Sequence, residues 1–342
     1  MKITELETAN GEYERVVSAE DGEYRGFVAI HNTALGPAVG GTRFWSYADD
    51  DAAIRDLLRL ARGMTYKNAL AGIPFGGGKS IVLRTDKPAD REAIFRAHGR
   101  FVETFGGKYI TAEDVGTNPN DMAVVLQETK HVAGLMGRSG DPSPSTARGV
   151  FRAIEASAQH RWGADTLTGR TVALQGCGNV GYYLAKNIHA AGARLIVTDV
   201  DTSKAERVVK EFGATAVEPD EIYGSDADVY APCALGGIIN DQTIPQFKVE
   251  IVAGGANNQL LEERHGDELS RLGILYAPDY AANAGGMING CRELLGWAPE
   301  QSAAKVDEIY NTVLDIFKTA ETEGIPTYKA ADRLSESVWK GK

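Results

Sequence analysis

The sequence predicts an α/β protein of two domains, and three observations support this prediction. A short apolar strand, a glycine-rich turn, a helix and a second strand follow one another over residues 171–199. Three more short apolar segments, with room for helices between them, lie between residues 228 and 279. Prolines and small polar residues at 140–146 separate this part from an N-terminal third that begins with strands. Alternation of strands and helices is typical of a sheet covered by helices.

Composition excludes several classes of protein. At 342 residues, with 43% apolar and 24% charged residues, the chain can form two globular domains with cores of their own. A net charge of -11 argues against nucleic acid as a partner. Cys177, Cys233 and Cys291 are too scattered for a disulfide framework or a zinc site, which favours a reducing cytoplasm and no metal. No segment approaches the roughly 18 apolar residues of a membrane span, and the N-terminus lacks a signal-peptide core.

The N-terminal part begins with strands. Residues 24–31 read as one strand, and a second apolar strand begins at Ala38. Within the second strand lie Gly40 and Gly41, whose bare backbone N–H groups could bind an anion. A bulge or tight packing is an equally good interpretation of two adjacent glycines.

Two lysines flank a glycine-rich stretch. Three- and four-residue spacing of apolar positions predicts a helix over residues 51–70, with Lys67 on its last turn. Glycines 76–78 are expected to form a turn before Lys79, which opens the apolar run 81–83. Desolvation and a second nearby cation lower the pKa of a lysine, as a general acid/base at neutral pH requires. The alternative is an ordinary turn between two solvated surface lysines.

Acidic residues end the next strand. A helix is predicted over residues 90–105, where His98 is more consistent with a core position than with a ligand. Residues 109–113 read as a strand followed by Asp114, which could face a cleft as a base or serve as a helix cap or turn residue. A further helix is predicted over residues 119–136.

Residues 171–199 carry a dinucleotide fingerprint. After a helix predicted over 146–161, the order is strand, G-x-G-x-x-G from Gly176, helix and strand, with Asp199 lying 23 residues after the first glycine. The glycines allow the backbone to approach a pyrophosphate at the helix N-terminus, and Asp199 would bond the ribose hydroxyls and repel a 2′-phosphate. The pattern therefore predicts a doubly wound, Rossmann-type domain that binds NAD rather than NADP. The residues expected at the cofactor are Thr146, Gly176, Cys177, Gly178, Asn179, Val180, Gly181, Tyr182, Asp199 and Val200.

The later strands are expected to complete the cofactor site. They lie within residues 228–236, 251–258 and 274–279, and the carboxyl ends of such strands line the ligand crevice of a doubly wound sheet. Contacts to the nicotinamide half are therefore expected from Cys233, Ala234, Ala256 and Asn257, although Asn257 could instead be a turn residue. Helices over 302–322 and 327–339 are predicted to close the chain.

The motifs, in this order, resemble those of the Glu/Leu/Phe/Val dehydrogenase family of NAD(P)-dependent L-amino acid dehydrogenases. The resemblance extends over nearly the whole chain. It rests on residues 36–43, 63–67, 76–79, 111–116, 140–145, 176–181, 231–236, 256–258 and 276–285.

The resemblance implies an activity and a set of roles. The activity is the reversible conversion of an L-amino acid, water and NAD+ to a 2-oxo acid, ammonium and NADH. Lys67 and the backbone of Gly40 and Gly41 would bind the substrate carboxylate, and Lys79 would activate the water and stabilise the oxyanion and carbinolamine. Asp114 would exchange protons with the amino group, and Asn257 would bridge substrate and cofactor. The resemblance also implies a homo-oligomer, from dimer to octamer, and closure of the two domains over the cleft.

The expected substrate is apolar. Glutamate dehydrogenases carry a lysine immediately before the Gly-Gly pair, where this chain has Val39, and an unpaired substrate carboxylate beside valine would be costly to bury. Gly290 stands where leucine and valine enzymes usually carry a bulkier residue. Leucine and other branched substrates are the first expectation. Residues 290–297 resemble phenylalanine dehydrogenases, so phenylalanine or tryptophan is the alternative. The pocket is expected to be walled by Val39, Met64, Ala112, Ala133, Met287 and Gly290.

Two other functions agree less well with the sequence. A catalytically silent NAD-binding regulator would need only the glycine fingerprint, so the retention of Lys67, Lys79 and Asp114 argues against it. A dehydrogenase for a substrate other than an amino acid would leave the paired lysines unexplained. The predicted domains are a substrate domain, residues 1–138 joined by the C-terminal helix 325–342, and a Rossmann-type domain, residues 139–324.

Overall fold

The computed structural model describes residues 1–7, 11–84, 90–134 and 140–340, and it confirms the predicted α/β class. The chain forms two compact units. The first comprises Met1–Gly140, Gly290–Gly296 and Ser335–Lys342, and the second comprises Asp141–Asn289 and Trp297–Leu334. The boundary predicted between residues 138 and 139 lies outside the described residues. Within the described ranges, none of the helices has the length and apolar character needed to cross a membrane.

The first unit is built on a six-stranded sheet. Its strands are β1 (Lys2–Glu5), β2 (Arg15–Asp21), β3 (Tyr24–Asn32), β4 (Ala38–Trp45), β5 (Gly76–Leu83) and β6 (Tyr109–Glu113). They lie in the order β1-β2-β3-β5-β4-β6, in which β4, β5 and β6 are parallel and the other pairs are antiparallel. Strands β3 and β4 confirm the two strands predicted at 24–31 and from Ala38.

Helices cover both faces of this sheet. The helices are α1 (Asp50–Leu70), α2 (Arg91–Glu103) and α3 (Pro119–Val125). Successive side chains of a strand point to opposite faces. Phe27 and Ala29 accordingly pack with Leu57 of α1, whereas Val28 packs with Phe95 of α2. Because Lys79 pairs with Ala29 in the register of β3 and β5, Lys79 belongs to the face that α1 covers.

The glycine stretch before Lys79 is a strand, and its prediction as a turn was wrong. Gly76, Gly77 and Gly78 are the first residues of β5. A Cβ on Gly77 would lie 2.1 Å from the backbone nitrogen of Thr65 in α1, and one on Gly76 would lie 2.0 Å from the carbonyl oxygen of Asn32. Glycine is needed here because backbone and helix approach closely, which tertiary packing determines and local propensity does not indicate.

The helix predicted over 119–136 is also shorter than expected. Helix α3 ends at Val125, and the chain then returns to the sheet edge, where Thr111 N donates to His131 O at 3.0 Å and Ala133 N donates to Thr111 O at 2.8 Å. These backbone bonds pair the edge strand β6, which a continued helix would leave open. Residues 135 and 136 of the predicted helix lie outside the described part of the chain.

The second unit contains a wholly parallel sheet. Its strands are β7 (Thr171–Gln175), β8 (Arg194–Thr198), β9 (Thr215–Ala216), β10 (Val229–Pro232), β11 (Ile251–Val252) and β12 (Leu275–Tyr276). The spatial order β12-β11-β10-β7-β8-β9 reverses direction between β7 and β10. This is the strand order of a doubly wound dinucleotide-binding sheet, as the fingerprint predicted.

The remaining helices differ from the predicted ones in two places. Helix α4 begins at Ser143 rather than Thr146, because a proline such as Pro144 is tolerated in the first turn of a helix. The helix predicted over 302–322 is two helices that meet at Glu308, whose φ of -64° and ψ of -15° remain helical. The helices are α4 (Ser143–Trp162), α5 (Asn179–Ala190), α6 (Thr202–Phe212), α7 (Glu263–Arg271), α8 (Asp279–Ala282), α9 (Gly285–Leu295), α10 (Pro299–Asp307), α11 (Ile309–Glu323) and α12 (Thr327–Trp339).

Candidate active site

Lys79 and Asp114 form an ion pair in the first unit. Lys79 lies in the middle of β5 and is 5% exposed, and Asp114 follows β6. The lysine Nζ lies 3.0 Å from Asp114 Oδ2. Strand β4 runs between β5 and β6, and there Gly41 leaves room for the pair, since a Cβ on it would lie 2.9 Å from the Cβ of Asp114. The sequence therefore brings together a buried amine and a carboxylate across a side-chain-free position.

The surroundings of this pair perturb both pKa values. Burial lowers the pKa of Lys79 from its ordinary value, Arg43 acts in the same direction and Asp114 opposes it. Burial by itself would raise the pKa of Asp114, yet Lys79 and Arg43 hold that pKa below its usual range. At neutral pH the carboxylate is therefore ionised, while the lysine loses its proton more readily than a surface lysine.

Arg43 belongs to the site although no role was predicted for it. Its Nε lies 3.0 Å from Asp114 Oδ2, and its Nη1 lies 2.8 Å from Asp56 Oδ2 of α1. The two-residue period of a strand puts Arg43 on the same face as Gly41, which was the available signal. The partner Asp56 could not be found in this way, because its position depends on how α1 packs on the sheet.

Gly40 and Lys67 were predicted to bind the substrate carboxylate together with Gly41. Gly40 packs tightly, since a Cβ on it would lie 1.7 Å from the carbonyl oxygen of Gly78. Lys67 is half-buried in the last turn of α1, the helix that lies on the Lys79 face. The structure thus favours the tight-packing interpretation for Gly40, and the anion-binding roles stay predictions.

Several of the predicted pocket residues lie in the first unit. Val39 pairs with Ile110 and Gly41 pairs with Ala112, so the side chains of Val39 and Ala112 share the Lys79 face. Ala133 is buried beside β6, and Met64 is half-buried on α1. The other two predicted residues are on α9, Met287 in the second unit and Gly290 in the first. Apart from its chain neighbours and the backbone of its own helix, no described residue has a heavy atom within 4 Å of a Cβ built on Gly290.

The glycine-rich loop of the second unit is built for close backbone approach. Gly176 has a φ of +93°, a left-handed conformation that favours glycine. A Cβ on Gly181 would lie 1.9 Å from the carbonyl oxygen of Gly176. Helix α5 begins at Asn179, with Gly178 as its N-cap and no side-chain cap from any described residue. Its first N–H groups and the positive end of its dipole can therefore receive an anion.

Asp199 ties the end of β8 to this loop. Its Oδ2 accepts a hydrogen bond from Cys177 N at 2.7 Å, and its Oδ1 accepts one from Asp201 N at 2.8 Å. The next residue, Val200, is 92% exposed. Acidic and apolar groups thus lie together beside the loop, where an adenosine would be expected.

Other residues predicted at the cofactor differ in orientation. The Tyr182 hydroxyl donates to Glu211 Oε2 at 2.6 Å, and Arg207 lies 3.8 Å over the ring, so the side chain of Tyr182 faces α6. Val180 lies close to the backbone at Gly255, where a Cβ would be 3.0 Å from its Cγ1.

The ends of β10 and β11 approach the loop. Ala234 packs against Gly176, where an added Cβ would lie 2.9 Å from the Cβ of Ala234. Burial raises the pKa of the Cys233 thiol to about 12, so this thiol is not a reactive nucleophile. Ala256 is buried as well. The two alanines and the cysteine thus form a small, uncharged wall beside the loop.

Two further predicted residues are held by neighbours in the same unit. Asn257 Oδ1 accepts a hydrogen bond from Asn283 Nδ2 at 2.8 Å. Thr146 Oγ1 donates to Pro142 O at 3.0 Å within the first turn of α4. The described residues include no cluster of three or more side chains suited to hold a metal ion.

Comparison with protein-family models gives two matches. The model described as Glu/Leu/Phe/Val dehydrogenase, dimerisation domain, matches residues 12–131. The model described as Glutamate/Leucine/Phenylalanine/Valine dehydrogenase matches residues 137–205 and 197–339. Together they span both units of the chain.

Individual relatives agree with these matches. The chain is 52% identical to leucine dehydrogenase of Geobacillus stearothermophilus over 330 residues, which are 95% of this chain and 90% of that protein. It is 44% identical to phenylalanine dehydrogenase of Lysinibacillus sphaericus over 340 residues, 96% of this chain and 89% of that protein. The crystal structure of L-tryptophan dehydrogenase from Nostoc punctiforme superposes with a TM-score of 0.89 at 46% identity, covering 96% of each chain.

Proposed function

The chain belongs to the glutamate/leucine/phenylalanine/valine dehydrogenase family and is a pyridine-nucleotide-dependent amino acid dehydrogenase, and from this premise we propose NAD-dependent oxidative deamination of an apolar L-amino acid, with leucine and other branched substrates preferred. The products are the 2-oxo acid, ammonium and NADH, and the reaction is reversible. The observation that carries the proposal is the ion pair of buried Lys79 with partly buried Asp114, in which Lys79 Nζ lies 3.0 Å from Asp114 Oδ2.

The chemistry assigned to this pair follows from its charges. Once the amino acid has been oxidised to its imine, a water must lose a proton as it attacks the imine carbon. Lys79 accepts that proton, because burial lowers its pKa and favours its neutral form. As an ammonium, Lys79 then stabilises the oxygen of the carbinolamine. Asp114, ionised beside two cations, exchanges protons with the amino group until ammonia leaves.

Binding of the substrate carboxylate is assigned to Lys67 and to the backbone of Gly40 and Gly41. Lys67 supports this assignment by its position on α1, the helix on the Lys79 face. The bound nicotinamide cofactor supplies the hydride acceptor. Asn257 is proposed to orient the substrate toward the cofactor.

The apolar preference rests on Val39, which is 5% exposed on the Lys79 face. A glutamate side chain would bring a carboxylate against valine with no partner charge, and burying an unpaired charge is costly. We expect the side-chain pocket to include Val39, Met64, Ala112, Ala133, Met287 and Gly290.

NAD is proposed over NADP because Asp199 is an acid beside the glycine loop. Its carboxylate would accept hydrogen bonds from the ribose hydroxyls and repel a 2′-phosphate. We expect the Asp199→Ser variant to gain activity with NADP+ relative to NAD+. An unchanged preference for NAD+ would show that another residue selects the cofactor.

We also propose a homo-oligomer in the cytoplasm. The matched model of residues 12–131 is described as a dimerisation domain. In the described part of the chain, Cys177, Cys233 and Cys291 form no disulfide bond, which suits a reducing compartment. Light scattering on the purified chain gives the oligomeric mass, and a monomer would contradict the first part of this proposal.

The test of the proposed function is NADH formation from NAD+ with L-leucine, L-valine, L-phenylalanine, L-tryptophan and L-glutamate in parallel. Turnover of leucine and valine, with little or none of glutamate, is the expected result. Inactivity on every substrate with intact NADH binding would leave a catalytically silent NAD-binding regulator as the better account.

Phenylalanine or tryptophan as the preferred substrate is the second candidate, and Gly290 is the observation that favours it. Outside its chain neighbours and its own helix backbone, no described atom lies within 4 Å of a Cβ at this position, which would suit a large substrate side chain. We expect Gly290→Val to lower kcat/KM for phenylalanine and tryptophan by about 10-fold more than for leucine, the scale of one or two methyl groups in a pocket. Equal losses on all substrates would place Gly290 outside the side-chain pocket.

A further inference from the structure

A row of four alternating charges runs across the Lys79 face of the first unit. We call Lys79, Asp114, Arg43 and Asp56 the charged row. Its successive separations are 3.0 Å from Lys79 Nζ to Asp114 Oδ2, 3.0 Å from Asp114 Oδ2 to Arg43 Nε and 2.8 Å from Arg43 Nη1 to Asp56 Oδ2. The side chains of Arg43, Asp56 and Asp114 are 19%, 17% and 23% exposed, so the row is largely withdrawn from solvent. Only Lys79 and Asp114 have roles in the reaction proposed above.

Arg43 is bonded to helix α1 through Asp56 as well as to Asp114. Two different nitrogens of its guanidinium bond the two carboxylates, so the side chain spans from β4 to the helix in a fixed geometry. Asp56 also accepts hydrogen bonds from two other residues. The Tyr47 hydroxyl donates to its Oδ2 at 2.7 Å, and Arg59 Nη2 donates to its Oδ1 at 2.9 Å.

Both cations of the row meet Asp114 at one oxygen. Lys79 Nζ and Arg43 Nε each lie 3.0 Å from Oδ2, and Oδ1 accepts no hydrogen bond from the described residues. The carboxylate is thereby fixed in rotation, and Oδ1 is the oxygen left for proton exchange with a substrate amino group. We propose that Arg43, anchored by Asp56, is a positioning residue. It orients Asp114 and partly neutralises the negative charge that the Asp114 carboxylate exerts on Lys79.

This partial neutralisation of Asp114 changes the pKa of Lys79 in a definite direction. The groups that act on Lys79 are Asp114 after β6, Arg43 of β4 and Asp56 of α1. Burial has the largest effect and lowers the pKa of Lys79. The carboxylates of Asp114 and Asp56 raise that pKa, and Arg43 lowers it. Without Arg43, the full negative charge of Asp114 would act on Lys79 and raise the pKa of the lysine. Without the charge of Asp56, the lysine would lose its proton more easily.

The experiment compares Arg43→Gln and Asp56→Asn with the wild type, and it rests on the proposed function. In oxidative deamination, the acid limb of the kcat profile follows deprotonation of Lys79. We expect Arg43→Gln to lower kcat about 100-fold through misorientation of Asp114, with a much smaller change in KM for the amino acid. We expect its acid limb to move to higher pH by about one pH unit, and that of Asp56→Asn to move to lower pH.

Two further variants separate charge from geometry. Arg43→Lys keeps the charge but lacks the planar fork, so it should keep the wild-type acid limb while losing part of kcat. Arg59→Gln is the matched control, because Arg59 bonds the same Asp56 but is 55% exposed and does not contact Asp114. It should leave kcat and the pH profile near those of the wild type.

The outcomes distinguish this inference from the proposed function. An inactive wild type would overturn the proposed reaction, and with it the role that this reaction gives to Arg43. An active wild type whose acid limb is the same in Arg43→Gln and Asp56→Asn would overturn the role of Arg43, even if kcat falls. Thermal denaturation and NADH binding establish that each variant is folded. If Arg43→Gln does not fold, the opposite displacement expected of Asp56→Asn and the unchanged limb expected of Arg43→Lys still decide the question.

Discussion

Both faces of the six-stranded sheet in the first unit carry polar side chains near their centre. One face carries acidic and basic groups, and the other carries uncharged groups. Lys79 and Ser80 are neighbours in β5 and therefore point to opposite faces. On the α1 face, Lys79 belongs to the charged row of acidic and basic side chains. On the opposite face, Ser80 belongs to a network of uncharged hydrogen-bonding groups.

The uncharged network centres on Thr42. Its hydroxyl lies 2.7 Å from Ser80 Oγ, 2.8 Å from His98 Nε2 and 2.5 Å from Thr111 Oγ1. His98 Nδ1 in turn lies 3.0 Å from the Tyr24 hydroxyl. These residues are buried and come from strands β3, β4, β5 and β6 and from helix α2. The network therefore links the strands that carry Lys79 and precede Asp114.

The difference between the faces shows what a buried group needs in order to stay charged. Burial with no counter-charge lowers the pKa of His98 to about 3, so His98 is neutral at physiological pH. On the other face each charge lies within 3.0 Å of an opposite one, and Asp114 stays ionised despite its burial. One face can therefore take part in proton transfer while the other holds the strands in register.

Lys79→Ala breaks the charged face and has the largest expected effect. Loss of the proton acceptor should lower turnover by at least about 1,000-fold. Binding of NADH should persist, because the glycine loop belongs to the second unit. Steady-state kinetics and NADH fluorescence measure the two quantities. Retained turnover would remove Lys79 from the mechanism.

Thr42→Val breaks the uncharged face without a change in shape. The hydroxyls of Ser80 and Thr111 and the imidazole of His98 would each lose a bond in a buried site, which should cost about 2–3 kcal/mol of stability. Differential scanning calorimetry measures this as a lower Tm. At temperatures well below it, kcat should change little. Ser18→Ala, at a half-buried hydroxyl in β2, is the control. A variant as stable as the wild type would show that the network contributes nothing net.

His98 should make the stability of the protein depend on pH. Its pKa in the folded chain, about 3, lies below the ordinary value of 6.5, so the unfolded chain binds a proton that the folded chain does not. Stability should therefore fall as the pH drops from about 6.5 toward 3, by about 1.4 kcal/mol per pH unit from this group.

Urea unfolding of the wild type and His98→Gln, at steps of about one pH unit between about 4.5 and 7.5, measures this dependence. The variant should be less stable at neutral pH but should show the shallower decline on acidification. Parallel declines would mean that His98 is not the group that titrates.

Most of the fold follows from periodicity in the sequence. The three-to-four spacing in α1, the short apolar runs of β7, β8 and β10 and the glycine fingerprint each indicate one element without reference to the rest of the chain. The strand that begins with Gly76 could not be found in this way. Glycine indicates a turn by propensity, and only the closeness of α1 at Thr65 requires glycine inside a strand.

The candidate site follows from the sequence in part. Lys79 and Asp114 stand in motifs, and the structure brings them together as an ion pair. Arg43 has the right strand period, but its function depends on a bond to Asp56 in a different element. Contacts between elements are set by packing, for which one sequence gives no direct signal. The direction in which the Tyr182 side chain points is likewise set by packing, because its hydroxyl bonds Glu211 of another helix.

The most direct test of the account is the pKa of Lys79 itself, since both the proposed chemistry and the charged row depend on it. NMR titration of the Cε resonance, in protein made with isotope-labelled lysine and assigned with Lys79→Arg, measures it without reference to turnover. The account predicts a midpoint below the value of about 10.4 for an ordinary lysine. It also predicts that the midpoint rises in Arg43→Gln. A midpoint at or above the ordinary value in the wild type would contradict it.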